Sequence, residues 1–153
     1  MRLSLQVHYA ICGVFDLAYN GQSAPVQVRV IGERQRIPAR YLEQIFQRLR
    51  QAALVRGKRG PGGGYTLARP AAEISVRDIV EALEGPIELG SRLEGAEPRS
   101  ESGEVSYRPD FFWPELASRF ADALAETTVE TLCRQAAQQA VPHSDADAFV
   151  YHI

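Results

Sequence analysis

The chain has 153 residues, of which 45% are hydrophobic, enough for one compact domain with a smaller appendage. No apolar run approaches the roughly 20 residues that span a bilayer, and the first residues lack the apolar segment of a signal peptide. The cysteines Cys12 and Cys133 lie far apart in the sequence and do not indicate a disulfide framework. We therefore expect a soluble cytoplasmic protein without a membrane partner.

The net charge of −2 conceals an uneven distribution of charge along the chain. Residues 1–69 contain eleven Lys and Arg against three Asp and Glu, whereas residues 70–153 contain six against sixteen. Sixteen of the seventeen positive residues are arginine, whose planar guanidinium forms paired hydrogen bonds with phosphate and guanine. A basic half joined to an acidic half indicates a polyanion-binding unit attached to a part with another role.

The first helix is predicted over residues 4–20, with Ser4 as a candidate N-cap. Its apolar stripe consists of Val7, Ile11, Val14, Phe15 and Ala18. Asn20-Gly21 ends this helix, and a loop through Pro25 follows. Residues 26–31 alternate between apolar and polar side chains, which is typical of a strand, so the pattern alone leaves their structure ambiguous.

The stretch 37–68 combines a predicted helix with a predicted hairpin. The helix has an apolar face, formed by Tyr41 or Leu42 with Ile45, Leu49 and Leu54, and a polar face, formed by Arg40, Gln44, Gln47, Arg48 and Gln51. Short strands at 53–55 and 65–67 flank the glycine-rich loop 60–64, and three basic residues precede that loop: Arg56, Lys58 and Arg59. A polar helix followed by a basic hairpin indicates a winged helix-turn-helix that binds duplex DNA.

Three further helices are predicted after the hairpin. Ser75 and Asp78 form a capping box, and Gly85-Pro86 ends the helix that follows. Residues 88–110 are poor in apolar side chains and indicate a mobile loop. Helical spacing returns over residues 114–126, and a second capping box from Thr127 to Glu130 predicts a break before another helix.

The predicted organisation is a DNA-binding domain at 1–85, a flexible loop at 86–110, dimerisation helices at 111–141 and a weakly ordered tail at 142–153. The fold class is mainly α with a small β-hairpin.

Five segments carry a family resemblance: Met1-Arg2-Leu3, Tyr41-Leu42-Glu43-Gln44, Leu49-Arg50, Leu54-Val55 and, above all, Arg59-Gly60-Pro61-Gly62-Gly63-Gly64-Tyr65. With them the chain resembles the IscR/NsrR type of winged helix-turn-helix transcriptional regulators. The resemblance is free of gaps from Met1 to about Glu84 and resumes more weakly near Trp113 to Leu132. It implies a winged helix-turn-helix domain joined to a long dimerisation helix, and it favours a short helix from Val28 to Gln35.

Two residues depart from the family pattern near the turn. Arg36 stands where the family prefers glycine, and a left-handed backbone there costs an arginine roughly 1 kcal/mol. Pro38 replaces the usual serine, so the hydroxyl N-cap is lost, although proline is acceptable in a first helical turn. Neither change removes the motif, but both alter the start of the recognition helix.

The resemblance implies a set of DNA contacts. Arg40, Tyr41 and Gln44 would read base edges, although the ring of Tyr41 could equally pack in the core, and Arg59 would enter a narrow minor groove. Phosphate contacts, which position the protein without reading sequence, are expected from Arg2, Arg48, Arg50, Arg56 and Lys58. The predicted DNA-binding residues are Arg2, Arg40, Tyr41, Gln44, Arg48, Arg50, Lys58, Arg59, Gly60 and Pro61.

The helix at 114–126 is too apolar on one side to stand alone, so it must pack on its own domain or on another copy. The resemblance implies packing on another copy, which gives a homodimer on a near-palindromic operator. The predicted dimerisation residues are Trp113, Leu116, Phe120 and Leu124.

The resemblance also bears on cofactors. Many members of the family hold an iron–sulfur cluster with three cysteines, at positions that are Arg92, Pro98 and Glu104 in this chain, with a histidine position at Tyr107. We therefore expect no cluster, no other cofactor and no metal. His8 and Cys12, four residues apart on one helix, remain an alternative metal or redox site.

No arrangement of catalytic residues stands out, so an enzyme is not expected. A protein-interaction adaptor on the same fold is the main alternative.

Overall fold

The computed structural model describes residues 3–21, 24–89 and 109–144. In chain order these residues form α1 (Leu5–Asn20), α2 (Val28–Gln35), α3 (Ala39–Gln51), β1 (Val55–Lys58), β2 (Gly64–Leu67), a 3-10 turn (Ala71–Glu73), α4 (Val76–Glu84), α5 (Phe112–Glu126) and α6 (Val129–Gln138). Within these ranges, no helix is both long enough and apolar enough to cross a bilayer. The mainly helical architecture with one antiparallel hairpin confirms the predicted fold class.

Helix α1 lies at the centre of the core and contacts α2, α3, α4, α6 and β2. The hydroxyl oxygen of Ser4 accepts a hydrogen bond from the Val7 amide, so the predicted N-cap is confirmed. A Cβ added at Gly13 would come within 2.8 Å of the Phe46 ring. The absence of that atom lets α3 pack directly against α1.

Helices α2 and α3 form the helix-turn-helix that the resemblance implied. The alternation of residues 26–31 is resolved in favour of a helix, because only Val26 and Gln27 are extended and α2 begins at Val28. Arg36 has φ 55° and ψ 42°, the left-handed conformation expected at this turn. Pro38 is the residue before α3 and caps it without a side-chain hydrogen bond, as the loss of the serine predicts.

Strands β1 and β2 form the hairpin, pairing Val55 with Leu67 and Lys58 with Gly64. The predicted first strand, 53–55, begins two residues too early, because Ala53 has φ 56° and turns the chain at the end of α3. Val26 extends the ladder by exchanging two backbone hydrogen bonds with Tyr65, of 2.9 and 2.8 Å. The base of the hairpin is thereby joined to the residue that leads into α2.

The second half of the chain packs on the same core. Ser75 and Asp78 form the predicted capping box of α4, whereas the second predicted box is wrong. Thr128, and not Thr127, caps α6 by accepting from the Thr131 amide, because the Thr127 carbonyl instead accepts from the Val76 amide across a short β-bridge. Helix α6 lies against α1, and most of the predicted mobile loop falls outside the described residues.

The first described residues of the predicted tail contact the end of α1. The His143 ring stacks on Tyr19, with ring centroids 3.9 Å apart, and the Ser144 amide donates to the Asn20 side chain. Tyr19 in turn donates its hydroxyl hydrogen to the Val141 carbonyl at 2.9 Å. Residues 145–153 lie outside the described residues.

Candidate nucleic-acid interface

Helix α3 has one buried and one exposed face, as its sequence pattern predicts. The side chains on its core face are Leu42, Ile45, Phe46 and Leu49. Arg40, Gln44, Gln47 and Gln51 are exposed on the opposite face. Their mixture of guanidinium and amide groups is able to donate to and accept from the edges of bases in a major groove.

The hairpin projects a second exposed basic element next to α3. Lys58, Arg59, Gly60 and Pro61 are all exposed. Arg50 of α3 lines the same cleft as Lys58 and Arg59, so the end of the helix and the arm of the hairpin form one continuous surface. Arg2, the remaining predicted phosphate contact, lies outside the described residues.

Among the described residues, no carboxylate forms an ion pair with the positive charges of this surface. In the described part of the chain, ion pairs join other arginines to acidic residues, whereas none involves Arg40, Arg50, Arg56, Lys58 or Arg59. An exposed patch of uncompensated positive charge attracts a polyanion and gains affinity from the counterions it displaces.

Tyr41 lies at the edge of the core and not inside it. It is 44% exposed, and its ring centroid is 6.4 Å from that of Tyr9 on α1. The Arg40 guanidinium lies 4.8 Å from the centre of the Tyr41 ring and donates a hydrogen bond of 3.2 Å to the Tyr41 hydroxyl. The side chain is therefore accessible for contact with DNA.

Arg48 differs from the other predicted phosphate contacts because its side chain is already bonded within the protein. Its guanidinium donates to the Leu83 carbonyl at 2.9 Å and to the Gln6 side chain at 3.2 Å. These bonds connect the flank of α3 to the last turn of α4 and to the start of α1. No sequence signal indicated this role, since the three residues are distant in the chain.

A buried polar network fixes α2 against α1, and sequence reasoning missed it. Asp16 is fully buried and accepts hydrogen bonds from Asn20 at 3.1 Å, from Gln35 at 2.9 Å and from Arg34 at 3.2 Å. Because Arg34 and Gln35 end α2, this carboxylate sets the position of the turn that leads to the recognition helix. Buried charges require such partners.

The predicted dimerisation residues lie along one side of α5. Ala117 and Ala121 are buried on this helix, which packs against α4, whereas Trp113, Leu116, Phe120 and Leu124 are each half-buried. At the head of the helix, Phe111 is 79% exposed and Phe112 is 43% exposed. An apolar surface that its own chain covers only in part remains along α5.

The alternative metal or redox pair is poorly suited to that role. His8 is exposed on α1, whereas Cys12 is half-buried and packs against the core. Burial raises the pKa of the Cys12 thiol, which opposes formation of the thiolate that binds metals. Burial likewise raises the pKa of Cys133, with a smaller contribution from the Glu130 carboxylate.

The sequence matches the model of the Rrf2 family, described as an iron-dependent transcriptional regulator, over residues 3–135. It is 38% identical over 132 residues to the HTH-type transcriptional regulator IscR of Pectobacterium atrosepticum, covering 86% of this chain and 79% of the relative.

The residues of this chain do not fit the family's three-cysteine cluster. The whole sequence contains only Cys12 and Cys133, which supply too few thiolates. Across the described ranges, no group of three or more His, Cys, Asp or Glu side chains is placed to hold a metal ion.

Solved structures give the same assignment. The IscR of T. potens superimposes with a TM-score of 0.72 at 29% identity, covering 97% of both chains. CymR, the global cysteine regulator of B. subtilis, superimposes with a TM-score of 0.70 at 27% identity, covering 88% of this chain and 98% of that one. The chain belongs to the Rrf2 family and is a DNA-binding transcriptional regulator with a winged helix-turn-helix fold.

Proposed function

We propose that the protein acts as a homodimer that binds a near-palindromic operator and represses transcription by occluding a promoter. The observation that carries the proposal is the continuous exposed surface of α3 and the hairpin, whose positive charges lack carboxylate partners among the described residues. Such a surface fits a recognition helix in the major groove with a neighbouring wing on the backbone or in the minor groove.

We assign different roles to the residues of this surface. Arg40, Tyr41 and Gln44 read base edges, because they occupy the first turns of the recognition helix, where groove insertion brings side chains to the bases. Arg59, with Gly60 and Pro61 at the tip of the hairpin, enters a narrow minor groove, where negative potential is concentrated.

The remaining basic residues position the protein without reading sequence. Arg2, Arg50 and Lys58 contact phosphates. Arg48 contributes differently: its bonds to Leu83 and Gln6 hold α3 in place relative to α4 and α1. Its substitution should therefore lower stability as well as affinity for DNA.

We place the dimer contact on α5. A second copy covers the partly exposed apolar side formed by Trp113, Leu116, Phe120 and Leu124, together with the aromatic residues at the head of the helix. Burial of such a surface is the expected driving force for pairing. Two-fold symmetry then presents two recognition helices about one helical turn of DNA apart. In this arrangement the domain at 1–85 reads DNA and the helices at 111–141 pair the copies.

Two alternatives predict different behaviour. A protein-interaction adaptor would co-purify with a protein partner and would not retain DNA even at low salt. A sensor that uses His8 and Cys12 would carry metal, which elemental analysis and an absorbance spectrum of anaerobically purified protein would detect. The raised pKa of Cys12 counts against the second alternative.

The proposal is tested by binding to a duplex selected from a random pool. Gln44→Ala and Arg59→Ala should each weaken binding to the selected duplex by about 1–3 kcal/mol. Glu73→Gln, at an exposed residue in the 3-10 turn outside this surface, is the matched control and should bind like the parent. If both interface variants also bind like the parent, the assignment of the reading surface is wrong.

A further inference from the structure

We propose that Tyr9 on α1 is a positioning residue that holds the base-reading side chain of Arg40 in place through Tyr41. The inference rests on the proposed function of α3 and adds a residue that lies outside the reading helix. Tyr9 would not touch DNA itself, and its effect would pass through the Tyr41 ring.

Three side chains form a continuous stack from the core to the exposed surface. Tyr9 is half-buried and packs against the hydrophobic core, and its ring centroid lies 6.4 Å from that of Tyr41 with an interplanar angle of 42°. The Arg40 guanidinium lies over the Tyr41 ring, 4.8 Å from the centre of that ring. The stack thus leads from α1 to the first turn of the recognition helix.

The inner end of this stack is firmly anchored. Its neighbours on α1, Val7 and Ala10, are fully buried, and the helix start is capped by Ser4. On the side towards the start of the helix, the His8 ring contacts Tyr9 edge-on, with centroids 6.3 Å apart. Tyr9 therefore offers the Tyr41 ring a surface that is itself packed against the hydrophobic core.

The Arg40 guanidinium, at the outer end of the stack, has a defined orientation as well as a defined position. Arg40 donates to the Tyr41 hydroxyl at 3.2 Å, so the ring face and the hydroxyl together fix the plane of the guanidinium. A free arginine side chain has many rotamers, and ordering it on binding costs conformational entropy. A guanidinium that is already ordered loses less conformational entropy on binding. It also discriminates more strongly against bases other than the one it prefers.

The test compares base preference and not affinity alone. Operator duplexes are selected with the parent protein, and Kd is measured for the operator and for each single base-pair change. Arg40→Ala first identifies the base pair that Arg40 reads. Tyr9→Leu should then reduce discrimination at that same pair by about two- to fivefold, the loss expected if release of the Tyr41 ring removes its exposed cation–π contact with Arg40. Discrimination at base pairs that neither Arg40 nor Tyr41 contacts should be unchanged.

Tyr9→Phe is the matched control, because it keeps the ring and should keep the parent's discrimination. Thermal unfolding shows whether each variant is folded. If Tyr9→Leu does not fold, Tyr9→Met fills the same space with a flexible side chain and should show the same selective loss.

Four results would overturn the inference. Unchanged discrimination by a folded Tyr9→Leu or Tyr9→Met, or an equal loss for every sequence, would show that Tyr9 has only a structural role. Absence of any base-pair effect of Arg40→Ala would remove the residue that Tyr9 is supposed to position. Failure of the parent to select any duplex would overturn the proposed function itself, and this outcome is distinguished because it appears without any substitution.

Discussion

The buried carboxylate of Asp16 gives the sharpest stability prediction. Its Oδ1 accepts from Asn20 and Gln35, and its Oδ2 accepts from Arg34. In Asp16→Asn, the new amide group must face either the guanidinium or the two amides, so donors oppose donors in either orientation. The negative charge that faces a guanidinium with only 9% of its side chain exposed is also lost.

Removing one member of a buried ion pair costs about 3–5 kcal/mol. For a chain of this length, that corresponds to a fall in Tm on the order of 10 °C. The assay is denaturant unfolding followed by circular dichroism, at equal protomer concentrations because pairing of copies would otherwise shift the midpoint.

Glu33→Gln is the matched control, since it makes the same chemical change in an exposed ion pair. Glu33 pairs with Arg29, and the side chains of Arg29 and Glu33 are 63% and 42% exposed. Its expected cost is below about 0.5 kcal/mol. If Asp16→Asn lost no more stability than this control, the network would not hold α2 against α1 as described.

Two other predictions concern backbone strain and thiol chemistry. Arg36→Gly should raise the free energy of unfolding by about 1 kcal/mol and Tm by about 2–4 °C, because the left-handed turn favours glycine; Arg36→Ala keeps the Cβ and should bring no such gain. Because burial raises the pKa of both Cys12 and Cys133, less thiolate is present at any given pH than in an unfolded chain. The alkylation rate with iodoacetamide should therefore reach half its maximum at a higher pH in the folded protein than in denaturant; identical pH profiles would contradict this account.

Local signals predicted the elements that carry the reading surface. The left-handed position of Arg36 follows from the family's preference for glycine at this turn. The spacing of apolar residues in α3, the Ser4 cap and the Ser75–Asp78 box follow from short stretches of sequence. Each depends on interactions among residues a few positions apart, which is why one sequence is enough to identify them. The glycine-rich hairpin was located for the same reason.

The errors and omissions arose from contacts between distant parts of the chain. Thr127 and Thr128 are equally able to cap a helix, and only the backbone bond from Val76 to Thr127 decides between them. The partners of Asp16 lie up to 19 residues away, and Arg48 bonds to a carbonyl 35 residues away. Neither partnership leaves a periodic signal, so the roles of these two charged residues became visible only in the fold.

Chemical footprinting of the selected operator duplex tests the central claim most directly. The account predicts two regions of protected major-groove atoms, centred about one helical turn apart and related by two-fold symmetry, with minor-groove protection beside each. Gln44→Ala should reduce the major-groove protection, and Arg59→Ala should reduce the minor-groove protection. A single protected region, or protection that neither variant alters, would contradict a paired molecule that reads DNA with α3 and the hairpin.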